Sequence, residues 1–208
     1  MIAIVDYQMS NLFSVKNALD FLRIESEISS DPTRLAEANG MILPGVGAFP
    51  EAMRHLRELD LVQPIIDFIE SGRPFMGICL GFQLLFSESE EFGATKGLDV
   101  LEGKVKYLES CGSIRVVPHV GWNSLEVEKF SDSKPESNPL NCVNEKTFMY
   151  FVHSYYVEPK NTQVVLTTTT YDDFSFCSSV FQKNIFACQF HPERSGPAGL
   201  KILKNYFI

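Results

Sequence analysis

The chain has 208 residues, 45% hydrophobic and 21% charged, with a formal net charge of -8 at pH 7, proportions that suit one globular domain with a sizeable core. The acidic balance and scattered Lys and Arg exclude the basic footprint of a nucleic-acid binder. The start, Met1-Ile2-Ala3-Ile4-Val5-Asp6, lacks a charged leader, no apolar run nears membrane-spanning length, and the five cysteines include no CxxC pair; a cytoplasmic protein without membrane contact, disulfide framework or zinc knuckle is expected.

Ile2 to Val5 is a short buried-type run ending at Asp6, and Asn11 is placed to cap a helix carrying Leu12, Val15, Leu19 and Leu22 at helical spacing. A second run, Met41 to Leu43, breaks at Pro44-Gly45-Val46-Gly47. Phe49 to Glu70 reads as helical with a restart near Pro64, ended by Gly72. Phe75 to Ile78 is a third run, followed by Leu80, Gln83, Leu84 and Leu85 on a helical period. Alternating strand and helix predict a parallel sheet with helices on both faces.

The second half changes character. Val100 to Leu108, Ser124 to Lys129, Phe148 to Val152, Val164 to Thr170 and Phe176 to Phe181 are rich in β-formers, which predicts mixed or antiparallel strands. Phe130 to Asn144, rich in Ser, Asn and Pro, reads as an exposed, mobile loop. Asn184 to Phe190 completes the strands, and Gly199 to Phe207 is a closing helix with Leu200, Leu203 and Phe207 inward. The whole, residues 1–208, is expected to be a single α/β domain.

Gly77-Ile78-Cys79-Leu80-Gly81 has the G-x-nucleophile-x-G pattern, in which the central residue takes a strained conformation and the flanking glycines let strand and helix approach. The amides and dipole opening the helix would favour the thiolate of Cys79. Cys111, Cys142, Cys177 and Cys188 lack that frame and read as packed thiols. A nucleophilic thiol needs a base and a carboxylate that orients it. His191-Pro192-Glu193 offers both: Pro192 keeps His191 extended, and residues two apart in an extended chain project to one side. Attack on an amide also needs donors for the oxyanion. The Leu80 N–H is one, and a backbone N–H of the glycine-containing turn after the second strand, that of Val46, is the other. Neither a Walker motif nor G-x-G-x-x-G supports a phosphate loop, and His55, His119 and His153 lack metal-ligand spacing.

These motifs, with Asp6-Tyr7, Asn11-Leu12, Gly47-Ala48-Phe49, Phe82 to Phe86, His119-Val120-Gly121-Trp122-Asn123, Phe151 to Tyr155 and Gln189 to Ser195, resemble the class I glutamine amidotransferases. More narrowly, the chain is similar to the glutaminase subunits of imidazole glycerol phosphate synthase. The resemblance implies a flavodoxin-like α/β fold with a mixed, mainly parallel sheet and a β-rich C-terminal half. It implies Cys79, His191 and Glu193 as triad, Val46 and Leu80 as oxyanion donors, and Gly47, Gln83, Glu91, Ser154 and Tyr155 as the L-glutamine pocket. Asn11, Trp122, Tyr150 and Arg194 match positions facing a synthase subunit of (β/α)8-barrel type in a heterodimer. No metal or organic cofactor is implied, and glutaminase activity is expected to be weak until the partner reshapes Pro44 to Gly47.

Two departures stand out. Gln8-Met9-Ser10 replaces the family's usual Gly-x-Gly, and Arg194 stands where Lys is common. Both bear on the partner, which could instead be a surface-sugar amidotransferase. A non-catalytic binding subunit and a free-standing cysteine peptidase are the rival classes.

Overall fold

The computed structural model describes residues 1–112, 116–127, 138–142 and 146–208. Its first half alternates β1 (Ile2–Val5), α1 (Leu12–Phe21), β2 (Ser26–Ser29), α2 (Pro32–Glu37), β3 (Gly40–Gly45), α3 (Phe49–Glu58), α4 (Val62–Glu70), β4 (Phe75–Cys79) and α5 (Leu80–Gln83). Then come β5 (Phe86–Ser89), β6 (Thr95–Lys96), β7 (Leu101–Tyr107), β8 (His119–Ser124), β9 (Glu126–Val127), β10 (Phe148–His153) and β11 (Tyr155–Pro159). The chain closes with β12 (Val165–Tyr171), β13 (Phe174–Gln182), β14 (Ile185–Cys188) and α6 (Gly196–Phe207).

Among the described residues the main sheet runs β2-β1-β3-β4-β14-β13-β11-β7-β5-β6, with β12 and β9 branching from β13, and β8 pairs β10 as a separate ribbon. From β2 to β14 every pairing is parallel. Beyond β14 the pairings are antiparallel except that of β5 with β7. The central parallel strands β1, β3, β4 and β14 are buried on both faces because both are covered. Ile4, Ile42 and Phe186 pack with Val15 and Leu19 of α1 and Ile202 and Leu203 of α6, while Val5, Leu43 and Ala187 pack with Leu35 of α2, Met53 of α3 and Phe68 of α4.

Several boundaries differ from the sequence reading for local reasons. The Phe49 to Glu70 segment is two helices, broken at Asp60, which takes φ 53, and Pro64 lies within the first turn of α4. Asn11 precedes α1, but its side chain makes no cap hydrogen bond; its carbonyl accepts the Ser14 N–H instead. β2 was not foreseen because Ser26-Glu27-Ile28-Ser29 is a half-buried edge strand with no apolar run. α2 is capped by the Asp31 side chain, which accepts from Thr33 N–H at 2.8 Å. The strand expected over Ser124 to Lys129 begins earlier, as β8, and its last two residues lie outside the described set. So does most of the expected loop Phe130 to Asn144; its described part holds a 3-10 turn, Pro139–Cys142, with Leu140 buried rather than exposed. Cys177 and Cys188 are buried thiols, facing Ser179 O at 3.6 Å and Phe190 O at 3.4 Å, whereas the side chains of Cys111 and Cys142 lie outside the described ones. In α6, Leu203 is buried, but Leu200 and Phe207 are only partly so. Among the described residues no helix is long and apolar enough to cross a membrane.

Candidate active site

Cys79 is the last residue of β4, with φ 54 and ψ -108, only 6% exposed, and it stands in register with Gly45 of β3. A positive φ at a residue with a Cβ costs about 1–3 kcal/mol and persists only where the surroundings impose it. Here the imposing contact is α5 lying directly on the sheet. A Cβ on Gly81 would fall 1.8 Å from the Leu43 carbonyl oxygen, and one on Gly77 would fall 3.0 Å from that of Gly81. Both glycines are therefore required by packing. The helix that follows is a single turn, so any electrostatic help to the sulfur comes from local amides rather than a long dipole.

His191 has an extended backbone, φ -102 and ψ 94, as expected before proline, but Pro192–Arg194 forms a 3-10 turn. Glu193 thus reaches the imidazole through a turn and not along a strand. Nδ1 of His191 lies 2.8 Å from Glu193 Oε1, and both side chains are almost wholly buried. Because the carboxylate only accepts, Nδ1 carries the proton and Nε2 is the free lone pair of the neutral ring. Nε2 has no hydrogen-bond partner in this conformation. Burial pushes the His191 pKa down, but the Cys79 sulfur beside it and the bond to Glu193 more than compensate, and the net direction is upward. The main chain is clamped to β10: His191 N–H donates to Tyr150 O at 2.9 Å, and Ser195 Oγ donates to His191 O at 2.6 Å while accepting Tyr150 N–H at 3.0 Å. No local sequence signal marks Ser195 as a clamp, because its partner Tyr150 lies 45 residues away.

The turn after β3 faces the same strand ends. Tyr7, fully buried, donates from its hydroxyl to Pro44 O at 2.8 Å. A Cβ on Gly45 would lie 2.2 Å from that hydroxyl. Val46 N–H donates to Met9 O at 3.0 Å, and Gly47 has φ 103 with the Met9 side chain 2.9 Å from where its Cβ would be. Gln8 adopts φ 68, a left-handed conformation that glycine enters freely. Its N–H donates to Asp6 Oδ1 at 2.9 Å, which holds the bend at a residue that is not glycine.

Beside the thiol, Gln83 Nε2 donates to Tyr155 O at 2.9 Å and to Gln189 Oε1 at 3.0 Å, and Gln189 Nε2 lies 3.6 Å from Cys79 Sγ. Glu91 Oε2 accepts the Phe49 N–H at 2.7 Å; burial outweighs that bond and raises its pKa. The Tyr155 phenol is also raised, first by burial and then by Glu91, which places the two side chains in one electrostatic neighbourhood. Ser154 contributes its carbonyl to Leu108 N–H at 2.9 Å. Gln83 is thus tied to Cys79 through Gln189, and Glu91 sits with Tyr155 and the start of α3. Among the described residues no group of His, Cys, Asp and Glu is arranged to hold a metal ion.

A family model described as glutamine amidotransferase class-I matches residues 3–208. The chain belongs to the class-I glutamine amidotransferases. It is 42% identical to the imidazole glycerol phosphate synthase subunit HisH of Syntrophotalea carbinolica, over 99% of this chain and 98% of that one. It is 46% identical to the protein of the same name from a Geobacillus species, over 99% and 95%. A crystal structure of a glutamine amidotransferase, 20% identical, superposes over 100% of both chains with a TM-score of 0.74, a likeness of fold.

In this class-I amidotransferase the exposed side of the β8–β10 ribbon borders the strand ends that carry His191. Trp122 is directly paired with Tyr150, their rings 6.2 Å apart edge to face, and the Tyr150 ring lies 6.3 Å from that of His191. Trp122 is 55% exposed, so it is a surface aromatic, not a core one. Val120 and Phe148 are exposed on the same ribbon, and Asn11, just before α1, and Arg194, in the 3-10 turn that packs on β10, are exposed as well. The opposite side of the ribbon is buried through His119, Met149, Phe151 and His153.

Proposed function

We propose that this chain is the glutaminase subunit of imidazole glycerol phosphate synthase, hydrolysing L-glutamine to glutamate and ammonia for a cyclase partner in histidine biosynthesis. The observation that carries it is Cys79 at a glycine-framed strand end with the buried His191–Glu193 pair opposite. The relatives named above, alike over nearly their whole length, support the choice of pathway over surface-sugar amidation.

The Cys79 sulfur attacks the side-chain amide carbon of glutamine, and His191 takes the thiol proton. His191 then gives a proton to the departing ammonia, leaving a glutamyl thioester. Having given its proton to ammonia, and with the acylated sulfur no longer favouring the charged ring, the imidazole is a neutral base. Water loses a proton to it and attacks the thioester, which releases glutamate. Glu193 holds the tautomer throughout. Leu80 N–H and Val46 N–H stabilise the oxyanion, the second only after its bond to Met9 O has opened. The anchored carboxylate of Glu91 suits the substrate's ammonium, and Gln83, Gly47, Ser154 and Tyr155 shape the pocket.

The partner is a (β/α)8-barrel cyclase in a heterodimer, seated on Val120, Trp122, Phe148 and Tyr150 with Asn11 and Arg194 at the rim. An exposed aromatic cluster with a polar margin is the usual anatomy of such an interface. The test is reconstitution: with the cyclase subunit of its own organism, glutamine should replace ammonium salts as nitrogen source for imidazole glycerol phosphate. Activation instead by a sugar amidotransferase, and not by the cyclase, would overturn the assignment.

A further inference from the structure

We propose that Gln189 is a further catalytic residue, whose amide N–H donates to the Cys79 sulfur while its carbonyl holds Gln83, so that one buried side chain joins the nucleophile to the glutamine cleft. The inference rests on the glutaminase reading of the site.

Its orientation follows from one atom. The main-chain carbonyl of Tyr155 can only accept, so the Gln83 group facing it at 2.9 Å is the NH2. The second N–H of that NH2 points to Gln189 at 3.0 Å and requires an oxygen there, Oε1. The NH2 of Gln189 is then the group left facing Cys79, at 3.6 Å from Sγ, within reach for a sulfur acceptor. Turning the Gln189 amide over would oppose two donors at Gln83 and two acceptors at the sulfur. The Tyr155 carbonyl is itself pinned, because it also accepts Nδ1–H of His153 at 2.9 Å, which occupies its second lone pair. Gln189 is fully buried and its own N–H is bonded to Ser178 O at 2.9 Å.

The sulfur has a second neighbour of opposite kind. Val152 O lies 3.8 Å away and can be used only by the protonated thiol, as donor. The Gln189 N–H is best used by the thiolate, the stronger acceptor. Passing the proton to His191 therefore forfeits the Val152 contact and strengthens the Gln189 one. Hydrogen bonding to the charged form favours that form. The same residue holds Gln83 in place, so nucleophile readiness and the substrate cleft share one support.

The rate of Cys79 alkylation by iodoacetamide against pH, followed on the Cys79 peptide by mass spectrometry, reads thiolate availability in the full chain. Gln189→Met removes donor and acceptor; alkylation at neutral pH is expected to slow about tenfold, with the profile displaced to higher pH. Gln189→Glu is nearly isosteric, guards against a packing defect, and puts an acceptor beside the sulfur; it should slow alkylation at least as much. In the complex, KM for glutamine should rise in Gln189→Met and less in Gln189→Glu, which retains an acceptor for Gln83. Wild-type alkylation profiles in both variants would overturn the proposal. Failure of the glutaminase reading is distinct: a wild-type complex would then release no glutamate whatever the alkylation profiles.

Discussion

The backbone N–H of Val46 donates to the carbonyl oxygen of Met9 at 3.0 Å, on the turn that faces Cys79 across the β3–β4 register. A donor spent there is unavailable to an oxyanion, so for Val46 to act as the proposed oxyanion donor this bond must open and its turn must change conformation. The isolated chain is expected to release glutamate about 100- to 1000-fold more slowly than the complex, the usual cost of one missing oxyanion donor. Steady-state glutamate release with and without the cyclase measures it. Equal rates would remove Val46 from the oxyanion site or the barrier from its turn.

Glu193 sets the His191 tautomer and helps keep the imidazolium. Glu193→Gln is expected to lower kcat by about 100-fold or more, because the amide can present a donor to Nδ1 and favour the wrong tautomer. The sign of the pH effect follows from the raised His191: losing Glu193 weakens the charged ring, so the alkaline limb of the kcat/KM profile moves to lower pH. An unmoved limb with unchanged kcat would contradict the role given to Glu193.

Trp122 is exposed and packs edge to face on Tyr150, which is tied through its backbone to His191. Trp122→Ala is expected to weaken cyclase binding about 30-fold, as for an interface hot spot of roughly 2 kcal/mol. The thermal midpoint of the isolated chain should hardly move. Titration calorimetry against the cyclase checks this; unchanged affinity would place the interface elsewhere.

The elbow was legible in the sequence because its logic is local: Gly77 and Gly81 are required by contacts that any strand turning onto its own sheet must make. His191 and Glu193 were legible as a pair for a similar reason, although the turn at Pro192–Arg194 that joins them was not. What sequence order hides are bonds between distant segments. Gln83 and Gln189 meet across 106 residues, and Val46 meets Met9 through a main-chain carbonyl that no side chain advertises. β2, β5 and β11 were missed because short, half-polar strands are stabilised by neighbours rather than by their own periodicity.

The His119–His153 pair gives stability its own pH dependence. Nδ1 of His119 lies 3.1 Å from Nε2 of His153, and burial, the main cause in both, lowers their pKa values from 6.5 to about 4 and about 3. Each is neutral in the fold and takes a proton on unfolding, so their contribution is full above about pH 6.5 and is lost as pH falls towards 4 and 3. Urea denaturation between pH 7 and pH 4 should show this loss, of the order of a few kcal/mol, and a double His119→Gln, His153→Gln variant a flatter profile. Identical slopes would mean that the pair does not titrate between folded and unfolded states.

Every role assigned above depends on Cys79 as the atom that opens glutamine. The direct measurement is glutamate release by the Cys79→Ala chain in complex with its cyclase, alongside cyclase turnover fed with ammonium salt. Glutamate release should vanish while ammonium-fed turnover persists, since the variant keeps the fold and the interface and loses only the sulfur. Glutamate release at the wild-type rate would contradict the account.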